Sequence, residues 1–177
     1  MKTRVLPLCG RNMALWLSAL ALAGSAAAGP LDGQGKRSGP DRPSTAETTA
    51  EREFRAGVQA QLSRDLDQAQ AHFKLALNAN PAFAPALLGL AGVAQARGDS
   101  SQAEAYLQRA ERATPRAAEV HLGWGRYFLS QRQPARAEKA FIQARSLAPQ
   151  TLAPHLELGD LYLATPGRSA QAMASYR

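Results

Sequence analysis

The 177-residue chain has little of what catalytic and metal sites are usually built from, with one cysteine and three histidines. The single Cys9 excludes an intramolecular disulfide and a zinc site built from several thiolates. None of the histidines stands at paired zinc-ligand spacing, and no phosphate-binding glycine loop, catalytic triad order or carboxylate pair can be recognised. We therefore expect no catalytic residues, no metal and no cofactor, and predict that the chain is not an enzyme.

The sequence also lacks a concentrated run of charge of one sign. Its formal net charge is +7, but Lys2, Arg4 and Arg11 belong to the N-terminal segment, and without them 18 basic residues face 14 acidic ones. These are scattered along the chain, whereas nucleic-acid binding requires basic residues clustered on one face. We expect no nucleic-acid partner.

The N-terminal segment, 1–28, has the composition of an export signal. A basic start is followed by an apolar stretch, Met13 to Ala23, and then by small residues ending at Ala28. This order predicts a signal peptide over residues 1–28 with cleavage between Ala28 and Gly29, and hence an exported protein, in the bacterial periplasm. If cleavage occurs there, the mature chain contains no cysteine.

The segment 13–28 also admits a second interpretation, an uncleaved membrane anchor. This apolar run is short for a span of ~20 residues, and it is rich in weakly apolar alanine. A cleaved signal is favoured, and membrane contact is expected only if the signal is retained. The following segment, 29–49, contains Leu31 as its only large apolar side chain, which predicts a flexible, disordered linker.

The remaining chain has a 34-residue period. Pro81, Pro115 and Pro149 recur at this constant interval. Before each proline the same small and large apolar residues recur at fixed distances, as in Ala137, Phe141 and Ala144. Such a period, with apolar residues three and four apart, predicts antiparallel helix hairpins stacked as a solenoid.

We therefore predict an all-α fold, an α-solenoid of about 3.5 to 4 hairpin units. The domain covers residues 50–177, and its repeats are 50–83, 84–117, 118–151 and an incomplete 152–177. The last helix is short, and we expect Met173 and Tyr176 to hold it against Leu158 and Tyr162. A short final helix leaves an open edge that favours oligomer formation, or marks a product truncated from a longer protein.

The residues at these fixed positions resemble the tetratricopeptide repeat (TPR) family, whose pattern is Trp, Leu-Gly, Tyr, then Ala, Phe, Ala and Pro. The third repeat matches with His121, Trp124-Gly125, Phe128, Ala137, Phe141, Ala144 and Pro149. The fourth begins with His155, Leu158-Gly159 and Tyr162 and has one extra residue in its turn. The resemblance covers residues 50–177.

The resemblance implies ligand contact along the concave side of the first helices, mainly at positions two, five, nine and twelve of each repeat. Positions five, nine and twelve are Phe54, Val58, Gln61, Leu88, Gly92, Gln95, Leu122, Arg126, Leu129, Leu156, Asp160 and Leu163. This mainly apolar stripe predicts an apolar or amphipathic peptide as partner. We further expect Arg126 to pair with Asp160, and Gly89 and Gly92 to form either a notch for a partner or a close helix contact.

The sequence thus favours an exported scaffold that binds a protein, peptide or helix in its groove and serves assembly of a cell-envelope or secretion complex. An alternative is a structural spacer that forms homo-oligomers through its C-terminal edge. A weak metal site on His121 and His155, which share one register, remains a further alternative to two packing residues.

Overall fold

The computed structural model describes residues 48–176. This part is helical throughout, with no strand, and its eight helices are α1 (Thr49–Leu62), α2 (Leu66–Ala79), α3 (Ala84–Ala96), α4 (Ser100–Ala113), α5 (Ala118–Ser130), α6 (Pro134–Leu147), α7 (Leu152–Leu163) and α8 (Ser169–Ser175). The predicted all-α solenoid is confirmed. The predicted signal peptide, its cleavage point between Ala28 and Gly29, and the predicted linker as far as residue 47 lie outside the described residues.

Consecutive helices pair into hairpins, α1 with α2, α3 with α4, α5 with α6 and α7 with α8. Each second helix also packs on the first helix of the next hairpin, and α3 contacts both α1 and α5. The first helices therefore form one layer and the second helices another, as in a linear stack in which each unit contacts its neighbours. No helix among residues 48–176 is long and apolar enough to cross a membrane.

The hairpin turns repeat one backbone conformation. Arg64 (φ 62°), Gly98 (φ 78°), Arg132 (φ 57°) and Gly167 (φ 80°) each lie between the two helices of a hairpin in the left-handed region. Two of the four turns use arginine there, although a side chain is disfavoured at positive φ, so packing of the helices imposes the turn. In the first two hairpins an aspartate then caps the N-terminus of the second helix.

The core rests on aromatic rings packed directly over glycines. A Cβ atom on Gly57 would come within 2.6 Å of the ring of Phe73, and one on Gly125 within 2.2 Å of the ring of Phe141. Gly89, from the next hairpin, lies against the same Phe73 ring, where its Cβ would be at 2.7 Å. Gly89 therefore provides close helix contact, the second of the two predicted roles.

The last helix, α8, is held against α7 by Tyr176, as expected, but not by Met173. Met173 is 62% exposed, so it does not pack the helix against α7. Instead Ala172 and Ser175 are buried, and the ring of Tyr176 lies over Gly159, at the position that Phe141 takes over Gly125. The last turn, which contains Gly167, has one extra residue relative to the repeat of the other hairpins. The alignment of α8 with the earlier second helices is therefore shifted by one position, and Met173 points away from the hairpin.

Candidate functional site

The predicted binding stripe becomes more accessible toward the C-terminal hairpin. Leu88 and Leu122 are buried, so these two side chains contribute to the core rather than to a surface. Seven residues are half-buried: Phe54, Val58, Gln61, Gly92, Gln95, Arg126 and Leu129. The exposed members, Leu156, Asp160 and Leu163, all lie on α7.

Helix α7 presents a row of exposed leucines. Leu152 is 75% exposed, Leu156 37% and Leu163 67%, and their separations of four and seven positions place them on one face. The corresponding face of α5 is covered, because Leu122 packs in a cluster with Leu158 and Leu161 of α7. Within residues 48–176 no further first helix covers the leucine row of α7 in the same way.

Gln95, near the end of α3, adds a polar group to the stripe. Its amide nitrogen Nε2 is buried and has no hydrogen-bond partner among the residues that the structure describes. A buried donor without a partner is costly, and its burial keeps this nitrogen out of reach of a ligand on the surface.

An ion pair joins α5 to α7, the last two helices of the first-helix layer. Arg126 Nε donates to Glu157 Oε1 at 2.6 Å, and the two side chains are only 11% and 4% exposed. The predicted partner, Asp160, is exposed and instead accepts a hydrogen bond from the Tyr176 hydroxyl at 2.6 Å. The predicted Arg126–Asp160 pair is therefore wrong, because the buried carboxylate of Glu157 requires a cation and the exposed carboxylate of Asp160 is bound by Tyr176.

The two histidines that share one register bind backbone carbonyls. His121 Nε2 lies 3.2 Å from the carbonyl oxygen of Pro115, and His155 Nε2 lies 3.1 Å from that of Pro149. A carbonyl only accepts, so each ring carries its proton on Nε2 and donates. Both histidines tie the start of a first helix to the proline that ends the preceding repeat. Among residues 48–176, no cluster of histidine, cysteine, aspartate and glutamate is arranged to hold a metal ion.

Polar clasps that the sequence did not predict connect successive hairpins. Tyr127 donates from its hydroxyl to Glu104 Oε2 at 3.1 Å, and Tyr162 donates to Glu138 Oε1 at 2.9 Å. Burial, and then the bond to the carboxylate, raise the pKa of both tyrosines. We call these contacts the tyrosine clasps. The recurrence of glutamate at the same position of two successive repeats was the sequence signal for them.

An arginine lies over an aromatic ring in the third hairpin and in the fourth. Arg136 lies 4.1 Å from the ring centroid of Phe128, and Arg168 lies 4.2 Å from that of Tyr162. Arg168 also donates two hydrogen bonds to Glu138, at 2.8 and 2.7 Å. These bonds hold the pKa of the Glu138 carboxyl below its usual value, although burial opposes them.

The profile of a tetratricopeptide repeat family matches residues 60–123. Over these residues the chain is similar to the tetratricopeptide repeat family. The match runs from the end of α1 into α5, and the helix hairpins continue with the same construction to α8. A search of curated protein sequences gave no match.

Several solved structures share the fold. Pseudomonas aeruginosa PilF has 22% identity and a TM-score of 0.62, covering 72% of this chain and 58% of that one. A mutant of the Thermobaculum terrenum O-GlcNAc transferase has 24% identity and a TM-score of 0.58, covering 66% and 22%. The first TPR of Spaghetti bound to an HSP90 peptide has 16% identity and a TM-score of 0.55, covering 71% and 94%.

These likenesses concern the fold. The chain described here spans 22% of the transferase chain and 58% of the PilF chain. At such identities the residues that carry out a function are not shared by necessity, so function has to be argued from the site itself.

Proposed function

We propose that the stripe on the first helices binds an apolar or amphipathic peptide or helix of a partner protein. The TPR fold supports a role as a protein-protein interaction scaffold. The observation that carries the finer proposal is the exposed leucine row on α7, Leu152, Leu156 and Leu163. Large apolar side chains exposed on one face of a helix suit contact with an apolar partner.

The polar groups of the stripe offer little to an acidic or polar ligand. Gln95 Nε2 is buried, so a ligand on the surface does not reach it. Arg126 is held by Glu157, so its charge is largely balanced within the protein. We therefore propose that apolar contact, rather than recognition of an acidic group, supplies most of the binding free energy.

The setting of this interaction is proposed from the N-terminal sequence. Residues 1–28 have the pattern of an export signal. An exported protein-protein interaction scaffold suits the assembly of a cell-envelope or secretion complex. This part of the proposal depends on export and is tested by locating the protein and determining the N-terminus of its exported form.

The binding proposal is tested by affinity capture from an envelope extract with the full chain and with a Leu156→Glu, Leu163→Glu double variant. Both leucines are exposed, so the charges should leave the fold intact, and circular dichroism checks this. Leu75→Glu is the matched control, because Leu75 is 48% exposed but lies on the second helix α2.

We expect the double variant to lose a partner that the parent and the Leu75→Glu control retain, because buried glutamates would remain unpaired in the interface. A partner that all three proteins recover equally would place the binding surface elsewhere and overturn the proposal.

A second candidate function is oligomer formation through the C-terminal edge. It is favoured by the exposure of Met173 (62%) and Tyr176 (44%) on the last hairpin. Sedimentation equilibrium over a wide range of protein concentration tests it. The oligomer is supported if the molecular mass of the parent rises with concentration while that of Met173→Glu stays at the monomer value. A parent mass that stays at the monomer value at all concentrations excludes the oligomer.

A further inference from the structure

A cavity of about 250 Å³ lies at the turn end of the second hairpin, between α2, α3 and α4. Val93 and Ala94 of α3 form part of its apolar wall. Gln70 of α2 and Gln102 and Tyr106 of α4 add polar groups. None of these residues belongs to the stripe on the first helices, so the cavity is separate from the surface proposed above.

The third hairpin has aromatic rings at the positions where this cavity has small side chains. Val93 and Ala94 correspond, one repeat further along the chain, to Tyr127 and Phe128. Both of those rings are largely packed against the protein. The cavity therefore exists because the second hairpin lacks the rings that its neighbour has at these positions.

The second hairpin and its neighbour α2 still have polar side chains at the positions that contact these rings one repeat later. Gln70 stands one repeat before Glu104, the glutamate that accepts from Tyr127 in a tyrosine clasp. Gln102 stands one repeat before Arg136, the cation over the ring of Phe128. A glutamine amide both donates and accepts, so Gln70 can serve a phenolic hydroxyl in either direction.

Arg97 supplies a positive charge at the edge of the cavity. Its Nη1 donates to Gln70 Oε1 at 2.6 Å, and its Nη2 pairs with Asp67 on the same helix as Gln70. These two contacts hold the guanidinium beside the opening, and the side chain remains 36% exposed. A ring entering the cavity would meet a cation, as the rings of Phe128 and Tyr162 do.

We propose that this cavity binds the side chain of a tyrosine carried by a partner polypeptide. The volume is below the ~300–1,000 Å³ of typical small-molecule sites and suits one ring. Val93 and Ala94 provide the apolar contact, Gln70 the hydrogen bond, and Arg97 the charge over the ring. Tyrosine combines a large apolar face with a polar tip and is enriched in protein interfaces.

The test titrates the full chain with blocked Gly-Tyr-Gly and Gly-Phe-Gly peptides and follows backbone amide shifts by NMR. We expect saturable shifts for residues around Val93, Arg97 and Gln102. Binding of the tyrosine peptide should be about three- to tenfold tighter, because its hydroxyl adds one hydrogen bond. Absence of shifts at these residues, or no preference for tyrosine, would contradict the proposal.

Two variants separate binding from folding. Ala94→Tyr fills the cavity with the protein's own ring, at the position of Tyr162, and should abolish the shifts. Gln70→Leu changes a polar group at the cavity wall, so its fold should persist, and it should remove the preference for tyrosine over phenylalanine. If Ala94→Tyr binds the peptide as the parent does, the ring does not enter this cavity.

A third arm distinguishes a polypeptide from a free aromatic molecule. The same titration with p-cresol presents the phenol ring without a peptide backbone. We expect the peptide to bind more tightly than p-cresol, because a partner polypeptide also contacts the rim near Arg97. Equal or tighter binding of p-cresol would overturn the assignment to a polypeptide. The Leu156→Glu and Leu163→Glu substitutions, which lie in the stripe on the first helices, should leave all these results unchanged.

Discussion

The ring of Phe141 lies so close to Gly125 that a Cβ atom on the glycine would come within 2.2 Å of the ring's Cε1. The two residues belong to the two helices of the third hairpin, α5 and α6. The first hairpin repeats this relationship with Phe73 and Gly57. In these two hairpins the distance between the paired helices is therefore set by a glycine opposite a ring.

Gly125→Ala is predicted to lower the free energy of unfolding by about 1–3 kcal/mol, because overpacking outweighs the better helix propensity of alanine. The second hairpin has Ala91 and Leu107 at the corresponding positions. Adding Phe141→Leu to Gly125→Ala should therefore recover part of the loss, although Phe141→Leu alone destabilises. Urea unfolding of the four proteins measures this as a double-mutant cycle. Additive effects would show that the two residues do not compete for space.

Glu157→Leu is predicted to cost about 3–5 kcal/mol, because Arg126 would keep its charge in a nearly buried site without this carboxylate. The double variant Arg126→Met, Glu157→Leu should regain much of that stability, since an apolar pair of similar volume replaces the ions. Thermal and urea unfolding compare the variants. A double variant no more stable than Glu157→Leu would contradict this account of the pair.

Glu138 is predicted to make stability depend on acid pH. The hydrogen bonds from Arg168 lower its pKa in the folded protein, so its contribution is fully present above the ordinary value of 4.5 and is lost as pH falls through the folded value. Glu138→Gln should be less stable than the parent at neutral pH. The difference should shrink in acid, as measured by urea unfolding across pH. A difference independent of pH would assign the effect to packing.

Tyr176 is predicted to remain protonated well into alkaline solution. Burial and the hydrogen bond to Asp160 raise its pKa to about 12. Because the folded pKa lies above the ordinary value of 10.0, its contribution to stability is present below that value and lost as pH rises toward 12. Asp160→Asn should lower the Tyr176 pKa, measured from the ring resonances by NMR. An unchanged pKa would leave burial as the sole cause.

The repeat positions explain why much of the fold was predictable. Pro81, Pro115 and Pro149 each lie just beyond the end of a second helix. Gly57 and Gly125 each lie under a ring of the paired helix. Such signals are readable because each hairpin contacts mainly its neighbours, so the pattern within one repeat is also the pattern of its packing.

The candidate site was less predictable, because its exposure depends on neighbouring hairpins. Leu122 and Leu156 occupy the same position of successive repeats, yet Leu122 is buried and Leu156 exposed. Their local sequences do not distinguish them. The difference arises because α7 covers the face of α5, whereas the row on α7 is exposed.

Local sequence was sufficient for the helical class, the 34-residue unit and the ends of the second helices, because proline and glycine act on the backbone locally. Only the packed stack reveals that Arg126 pairs with Glu157, that Gly159 is the residue beneath the Tyr176 ring, and that a cavity lies beside Ala94. These features depend on side chains from different helices meeting at close range. Such distances are set by the packing of the whole stack and are not contained in the period of any single repeat.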